Sequence, residues 1–150
     1  MKRTFADMSL GLTFESPAYH ISEEDALDFA RRFDPQPFHT DPDAARNSFF
    51  KGLAVSGWYT ASRVFSLLLQ SNVDMEGGII GQAAHELRWL GAVRPGDTLR
   101  VTSEVVEVTP SAKDPRRGTV ILESVAFNQS GERVFVMRAR VLAPAPRGGS

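Results

Sequence analysis

The sequence predicts an α+β domain in which an antiparallel sheet wraps around one buried central helix. Three observations carry this reading. Helical patterns fill the first half of the chain and strand patterns the second, the order that separates α+β domains from βαβ repeats. Residues 56–70 place apolar side chains nearly all round a helical wheel, which marks a helix meant for the interior. The strands that follow are consecutive and joined by short turns, so they pair as antiparallel neighbours. The chain has 150 residues and 42% hydrophobic content, enough for one compact domain with a core. That domain is expected over residues 1–143. The Pro- and Gly-rich tail, 144–150, is expected to be disordered.

Leu10, Leu12 and Phe14 alternate with Gly11 and Thr13, which predicts a short strand before Pro17. Ser22 followed by Asp25 reads as a capping box with Asp in place of Glu or Gln. Leu27, Ala30 and Phe33, with Phe29 beside them, then give a helical stripe over 23–33. Pro35 and Pro37 lack an N–H and bias the residue before each toward extended backbone. They predict a stiff, extended overhang from Asp34 to His39. Asp41 caps the next helix, over 42–47, with Pro42 at its first position. Residues 48–55 form a loop bent at Gly52, and Ser56 caps the buried helix. Gly77 and Gly78 end the helical half. Strands are expected over 79–93 (bent), 98–109, 119–128 and 133–142. Leu99, Val101, Ser103, Val105 and Glu107 share one face, and Val134 and Val136 alternate against Arg133 and Phe135. Pro95-Gly96 and Ser130-Gly131 make the turns.

Composition narrows the function classes. A formal net charge of −1 gives no case for nucleic acid or an anionic membrane as partner. No cysteine is present, so disulfide and thiolate chemistry are excluded. Asp7, Ser9 and Gly11 interrupt the N-terminus and no apolar run is long enough to span a bilayer, so a soluble, cytoplasmic protein is the expectation. His20, His39 and His85 are scattered without ligand spacing, and no metal is expected. Gly77 to Gly81 follows a helix and enters a strand, the reverse of a dinucleotide-binding loop.

Asp34 and His39 are the chemical centre of the sequence. A carboxylate and an imidazole beside one water can remove its proton and deliver one elsewhere. An Asp-Pro turn with a locally packed histidine is the plainer reading, and spacing alone does not show that the side chains converge. The run Asp34-Pro35-Gln36-Pro37-Phe38-His39-Thr40-Asp41 resembles the hydratase motif of the MaoC-like dehydratases, or (R)-specific enoyl-CoA hydratases, loosely Asp-x-Asn-Pro-x-His-x-Asp. Asp34, Pro37, His39 and Asp41 match, and Gln36 stands in place of Asn. The resemblance runs from about Ile21 through the last strand and implies the hotdog fold, in agreement with the element order. It implies that Asp34 and His39 hold the water that adds to a trans-2-enoyl thioester, giving an (R)-3-hydroxyacyl-CoA. It also implies a homodimer, with CoA present as part of the substrate and no separate cofactor.

Other residues enter as candidates. At the start of the buried helix the Gly57 N–H is unpaired and at the positive end of the helix dipole, so it is an oxyanion donor; Ser56 joins it where the family commonly has His. A plain helix start is the alternative. Gln36, Phe38, Trp58 and Ser62 are candidates for the substrate pocket, with Tyr59, Phe65 and Ser66 near them; core packing, or bonding to the preceding turn for serine, is the default for each. Lys113, Arg116 and Arg117 could meet CoA phosphates, although a basic loop is usually just solvated. His85 and Arg88 could face the site or solvent. An acyl-CoA thioesterase and a non-catalytic acyl-CoA-binding module are the alternatives on the same fold.

Overall fold

The computed structural model describes residues 1–147. Strands β1 (Thr13–Glu15) and β2 (Tyr19–His20) lead into helices α1 (Glu23–Phe33), α2 (Pro37–Thr40), α3 (Pro42–Arg46) and α4 (Gly57–Leu69). Strands β3 (Ile80–Trp89), β4 (Thr98–Pro110), β5 (Gly118–Phe127) and β6 (Arg133–Ala143) follow. The sheet is six-stranded and runs β1-β4-β5-β6-β3, with β2 pairing β4. The β3–β6, β4–β5 and β5–β6 pairings are all antiparallel. The sheet curls about α4 as a hotdog fold.

Local chemistry accounts for the helix ends. Ser22 accepts from Asp25 N at 3.1 Å and starts α1. The expected capping box is only half made, because the Asp25 carboxylate turns toward α4. It takes the Tyr59 hydroxyl at 2.6 Å and Arg63 at 3.0 Å, tying α1 to α4. Asp41 caps α3 by accepting from Asp43 N and Ala44 N. Between them the extended overhang is replaced by α2: Gln36 is its N-cap, and Pro37, with φ preset for helix, is its first residue.

Helix α4 buries Val64, Leu67 and Leu68 completely, at about 2 kcal/mol each. Val64 and Leu67 join a cluster with Leu99, Val101 and Phe135; Leu68 joins a second with Val105, Val120 and Leu122. The helix is not enclosed all round. Trp58 and Leu69 remain exposed along one face, next to the open edge strand β3, whose first six residues are exposed on both sides.

Bulges change two expected faces. A shift between Val105 and Glu107 sends Glu107 outward opposite Ile121, so it leaves the row of Leu99, Val101, Ser103 and Val105. Phe135 pairs with Ala126 in the unbroken register of β5 and β6 and is fully buried, where alternation had set it apart from Val134 and Val136; the shift between Ala126 and Phe127 leaves Val134 unpaired, so it is buried beside Phe135 instead of opposite to it. Two further shifts bend β3. Of the tail expected to be disordered from 144, the Pro144 carbonyl accepts from Phe5 N at 2.8 Å and Arg147 pairs with Glu76 at 2.9 Å. Residues 148–150 lie outside the described residues.

Candidate active site

The α2 turn swings His39 inward until it is 7% exposed. Its Nδ1 lies 2.7 Å from the Ala54 carbonyl, which can only accept, so Nδ1 carries a proton. Phe38 O in turn accepts from Ala54 N at 3.0 Å, and Val55 N donates to Val93 O at 2.7 Å. The loop before α4 is thus laced to α2 on one side and to the segment after β3 on the other. Arg94 reinforces it by donating to Gly52 O, Leu53 O and Phe50 O.

His39 Nε2 faces Asp34 Oδ2 at 3.3 Å. Asp34 ends α1, its N–H donating to Ala30 O, and Pro35 keeps it out of the helix that follows. Its other contacts are hydrogen bonds from Gln36 Nε2 to Oδ1 at 2.5 Å and from Ser56 Oγ to Oδ2 at 2.7 Å. Burial raises the Asp34 carboxyl, but the hydrogen bonds from Ser56 and Gln36 and the charge of His39 together hold it below the ordinary carboxylate range. Without a proton, Nε2 and Oδ2 would both be acceptors; a proton between them, carrying the charge that His39 brings to Asp34, satisfies the pair.

Ser56 is fully buried and spends both functions of its hydroxyl. It accepts from Trp58 N at 3.2 Å as the N-cap of α4 and donates to Asp34. The expected role of Ser56 toward a thioester is therefore corrected: its one proton is committed to the acid. In the first turn of α4 the Trp58 and Thr60 amides bond to Ser56, whereas the Gly57 and Tyr59 amides have no acceptor among the described residues. Of these two residues Gly57 borders the cavity beside His39. The space a Gly57 side chain would fill belongs to the Trp89 indole: a Cβ there would lie 2.6 Å from Trp89 Nε1. That Nε1–H donates to Gly57 O at 2.8 Å.

The cavity measures about 360 Å³ and is lined by His39, Phe49, Phe50, Gly57, Thr60 and Trp89, among others. Asp34 is not part of its wall but touches His39, which is, through Nε2. Gln36, Phe38, Trp58 and Ser62 are not part of the wall either. Gln36 holds Asp34; Phe38 packs on His39 and Phe50. Trp58 is exposed and stacks edge-on against Trp89, and Ser62 bonds its own preceding turn at Trp58 O. Tyr59 is core, and its burial, with the bond to Asp25, pushes its hydroxyl well above the usual tyrosine range. Lys113, Arg116 and Arg117 lie away from this cavity. Arg116 pairs with Asp114 at 3.0 Å, and Arg117 borders a separate cavity of about 450 Å³ beside the start of β3. The His39 cavity adjoins the end of β3, about 30 Å of strand away. His85 and Arg88 are exposed on β3. Thr60, Phe49, Phe50 and Trp89 had no motif to announce them; the fold alone brings them to His39.

A family model described as a MaoC like domain matches residues 7–126. The chain superposes on the crystal structure of a MaoC-like dehydratase from Rhodospirillum rubrum with a TM-score of 0.90 and 40% identity, over 95% of this chain and 97% of that one. Against the R-hydratase PhaJ1 from Pseudomonas aeruginosa, solved unliganded, the TM-score is 0.76 at 26% identity, over 97% of this chain and 88% of that one. An uncharacterized Bacillus subtilis protein, YdeM, is 28% identical over 136 residues, which is 91% of this chain and 95% of that protein.

Proposed function

The chain belongs to the MaoC-like domain family, and from that premise we propose that it is an (R)-specific enoyl-CoA hydratase, a hydro-lyase adding water across a trans-2-enoyl-CoA or removing it from the 3-hydroxyacyl-CoA. The observation that carries the reading is the meeting of Asp34 and His39 beside an unpaired amide, Gly57 N–H, at the head of α4.

The chemistry asks for three things. A base must take a proton from water as its oxygen attacks C3. An acid must give a proton to C2. Donors must hold the negative charge that grows on the thioester oxygen between these events. Asp34 and His39 share one proton at the Nε2–Oδ2 contact, so as a pair they can accept the proton of water and return one to C2. The oxygen lies against the Gly57 amide, where the dipole of α4 adds to its field. Water adds whole and no electron changes hands, so the reaction needs no redox cofactor, and in this reading the Asp34–His39 pair and the Gly57 amide fill the roles without a metal; CoA enters as part of the substrate.

The active form in this reading is a homodimer working in the cytoplasm. The exposed edge of β3, with Trp58 and Leu69 exposed on the adjoining helix face, supports a second copy as occupant. A panel of trans-2-enoyl-CoAs tests the reading by loss of enoyl absorbance, with free thiol followed in parallel. The parent should consume enoyl-CoA without releasing thiol. Asp34→Asn and His39→Ala should each lose about 100-fold or more in kcat. Thiol release without loss of the enoyl group would make the protein a thioesterase. Binding with neither would make it a carrier.

A further inference from the structure

We propose that Thr60 is a second substrate-binding donor, its hydroxyl hydrogen-bonding the acyl thioester oxygen beside the Gly57 amide; the inference rests on the hydratase reading above. Thr60 is 1% exposed and borders the His39 cavity. Among the described residues no hydrogen bond is formed by its hydroxyl, and no fully enclosed side-chain nitrogen or oxygen is left without a partner. The Thr60 oxygen therefore keeps an open side, and the cavity it borders is where that side lies.

Buried helical hydroxyls normally turn back on their own helix. Exposed Ser62 and buried Ser71, just past the end of α4, both turn back in this way, donating to Trp58 O at 2.8 Å and Leu67 O at 2.6 Å. Ser66 accepts from Gln70. Thr60 makes no such bond to Ser56 O, which accepts only its backbone N–H, at 3.1 Å. A buried hydroxyl left unsatisfied costs about 1–3 kcal/mol unless something outside the chain completes it.

Helical geometry says what that is. Residues 57 and 60 are three apart and share a face, and helical side chains lean toward the N-terminus. The Thr60 hydroxyl thus leans toward the turn that begins at Gly57, and the two donors converge on one point in the cavity. A thioester oxygen that becomes enolate-like has lone pairs for both. Ser56 is spent on Asp34, so Thr60 is the hydroxyl available in this turn.

The test compares Thr60→Val, which keeps shape and removes the hydroxyl, with Thr60→Ser, which keeps the hydroxyl. In the hydratase assay the valine variant should lose about 100-fold in kcat with KM little changed, and serine should restore most of it. A turnover-free readout runs beside it: the infrared stretch of butyryl-CoA labelled at the carbonyl, bound to each protein. Binding should lower that frequency, and Thr60→Val should give back part of the shift. Melting of the valine variant should match or exceed the parent's, because the hydroxyl has no partner within the fold and its burial carries a cost. Parental kcat and an unchanged carbonyl shift in Thr60→Val overturn the proposal, as does a large fall in its melting temperature. If the parent hydrates no enoyl-CoA while the carbonyl shift still depends on Thr60, the hydratase reading fails and the donor assignment stands. If no enoyl-CoA is hydrated and butyryl-CoA does not bind, both fall.

Discussion

Ser56 Oγ donates to Asp34 Oδ2 at 2.7 Å while capping α4 through Trp58 N, so one hydroxyl joins the start of the central helix to the acid of the site. Removing it should separate two effects. Ser56→Ala loses the cap, worth about 1 kcal/mol, and the bond that favours ionised Asp34. Ser56→Gly keeps most of the cap, which costs only a few tenths of a kcal/mol to replace with glycine, and loses the same bond. Both variants should raise the acid limb of the kcat/KM profile, and alanine should melt lower than glycine. An unmoved acid limb in both variants would show that Ser56 is a cap and nothing more.

The sign of the stability effect follows from the same bond. Asp34 is held below its ordinary range in the folded chain, so it binds protons less readily folded than unfolded. Its contribution is present above the unfolded value, near pH 4, and is lost as pH falls through the lower folded value. Acid unfolding of the parent should include this loss. In Ser56→Gly the contribution should be smaller, so the stability gap between the two proteins should shrink toward pH 2.

Gly57 and Trp89 make a second coupled pair. A methyl at Gly57 would meet the Trp89 indole at 2.6 Å, so Gly57→Ala must push the ring away and break its bond to Gly57 O. Overpacking of this kind costs about 1–3 kcal/mol. Trp89→Leu removes the ring and should make the alanine tolerable. In urea unfolding, the double variant should then be no less stable than Trp89→Leu alone. Simple additivity of the two losses would show that the indole and the glycine are not in contact in solution.

The helix ends were legible because they rest on neighbours in sequence: Ser22, Asp41-Pro42 and Ser56 each cap with a side chain two or three residues from its donor. The α2 turn was not. Two prolines spaced by one residue argue for extended chain, and the turn that Gln36 O and Pro37 O close locally is held in place by the Phe38–Ala54 and His39–Ala54 bonds across the fold. The bulges in β4, and between β5 and β6, were hidden for a related reason. A period of two says which face a residue takes only while the register holds, and nothing in the residues at Val106 or Val134 announces the slip. For the site, Asp34 and His39 could be named from their motif, whereas Thr60 and Trp89 acquire meaning only from the strand and helix that bring them together.

Arg94 should matter more than its distance from the acid suggests. Its guanidinium gives three hydrogen bonds to the carbonyls of Phe50, Gly52 and Leu53, which hold the loop carrying Phe50 and Ala54 to the cavity. Hydrogen bonds from a charged donor contribute about 1.5–3 kcal/mol each and are not additive within one group, so Arg94→Ala should cost about 2–4 kcal/mol. Lysine offers a point charge rather than a planar fork and should recover less than half of that. Hydrogen exchange should rise at Ala54 and Val55 in both variants. Since Ala54 O holds His39, kcat should fall as well. A stability loss with unaltered exchange at Ala54 would place the role of Arg94 elsewhere.

The open edge of β3 gives the last prediction. Ile80 is 56% exposed on that strand and Leu69 is 48% exposed on the adjoining face of α4, so a second copy covering both would remove substantial apolar surface from water. Edge strands that stay free are normally guarded by charge, proline or strong twist. Here the exposed run opens with Ile80-Gly81-Gln82-Ala83-Ala84, without a charge before His85. Sedimentation should therefore give a dimer for the parent. Ile80→Lys with Leu69→Lys should shift it toward monomer while leaving the far-ultraviolet circular dichroism intact, because neither side chain belongs to the buried clusters. A parent that sediments as a monomer at micromolar concentration would remove the dimer from the proposed active form. A dimer unaffected by both lysines would move its interface away from β3.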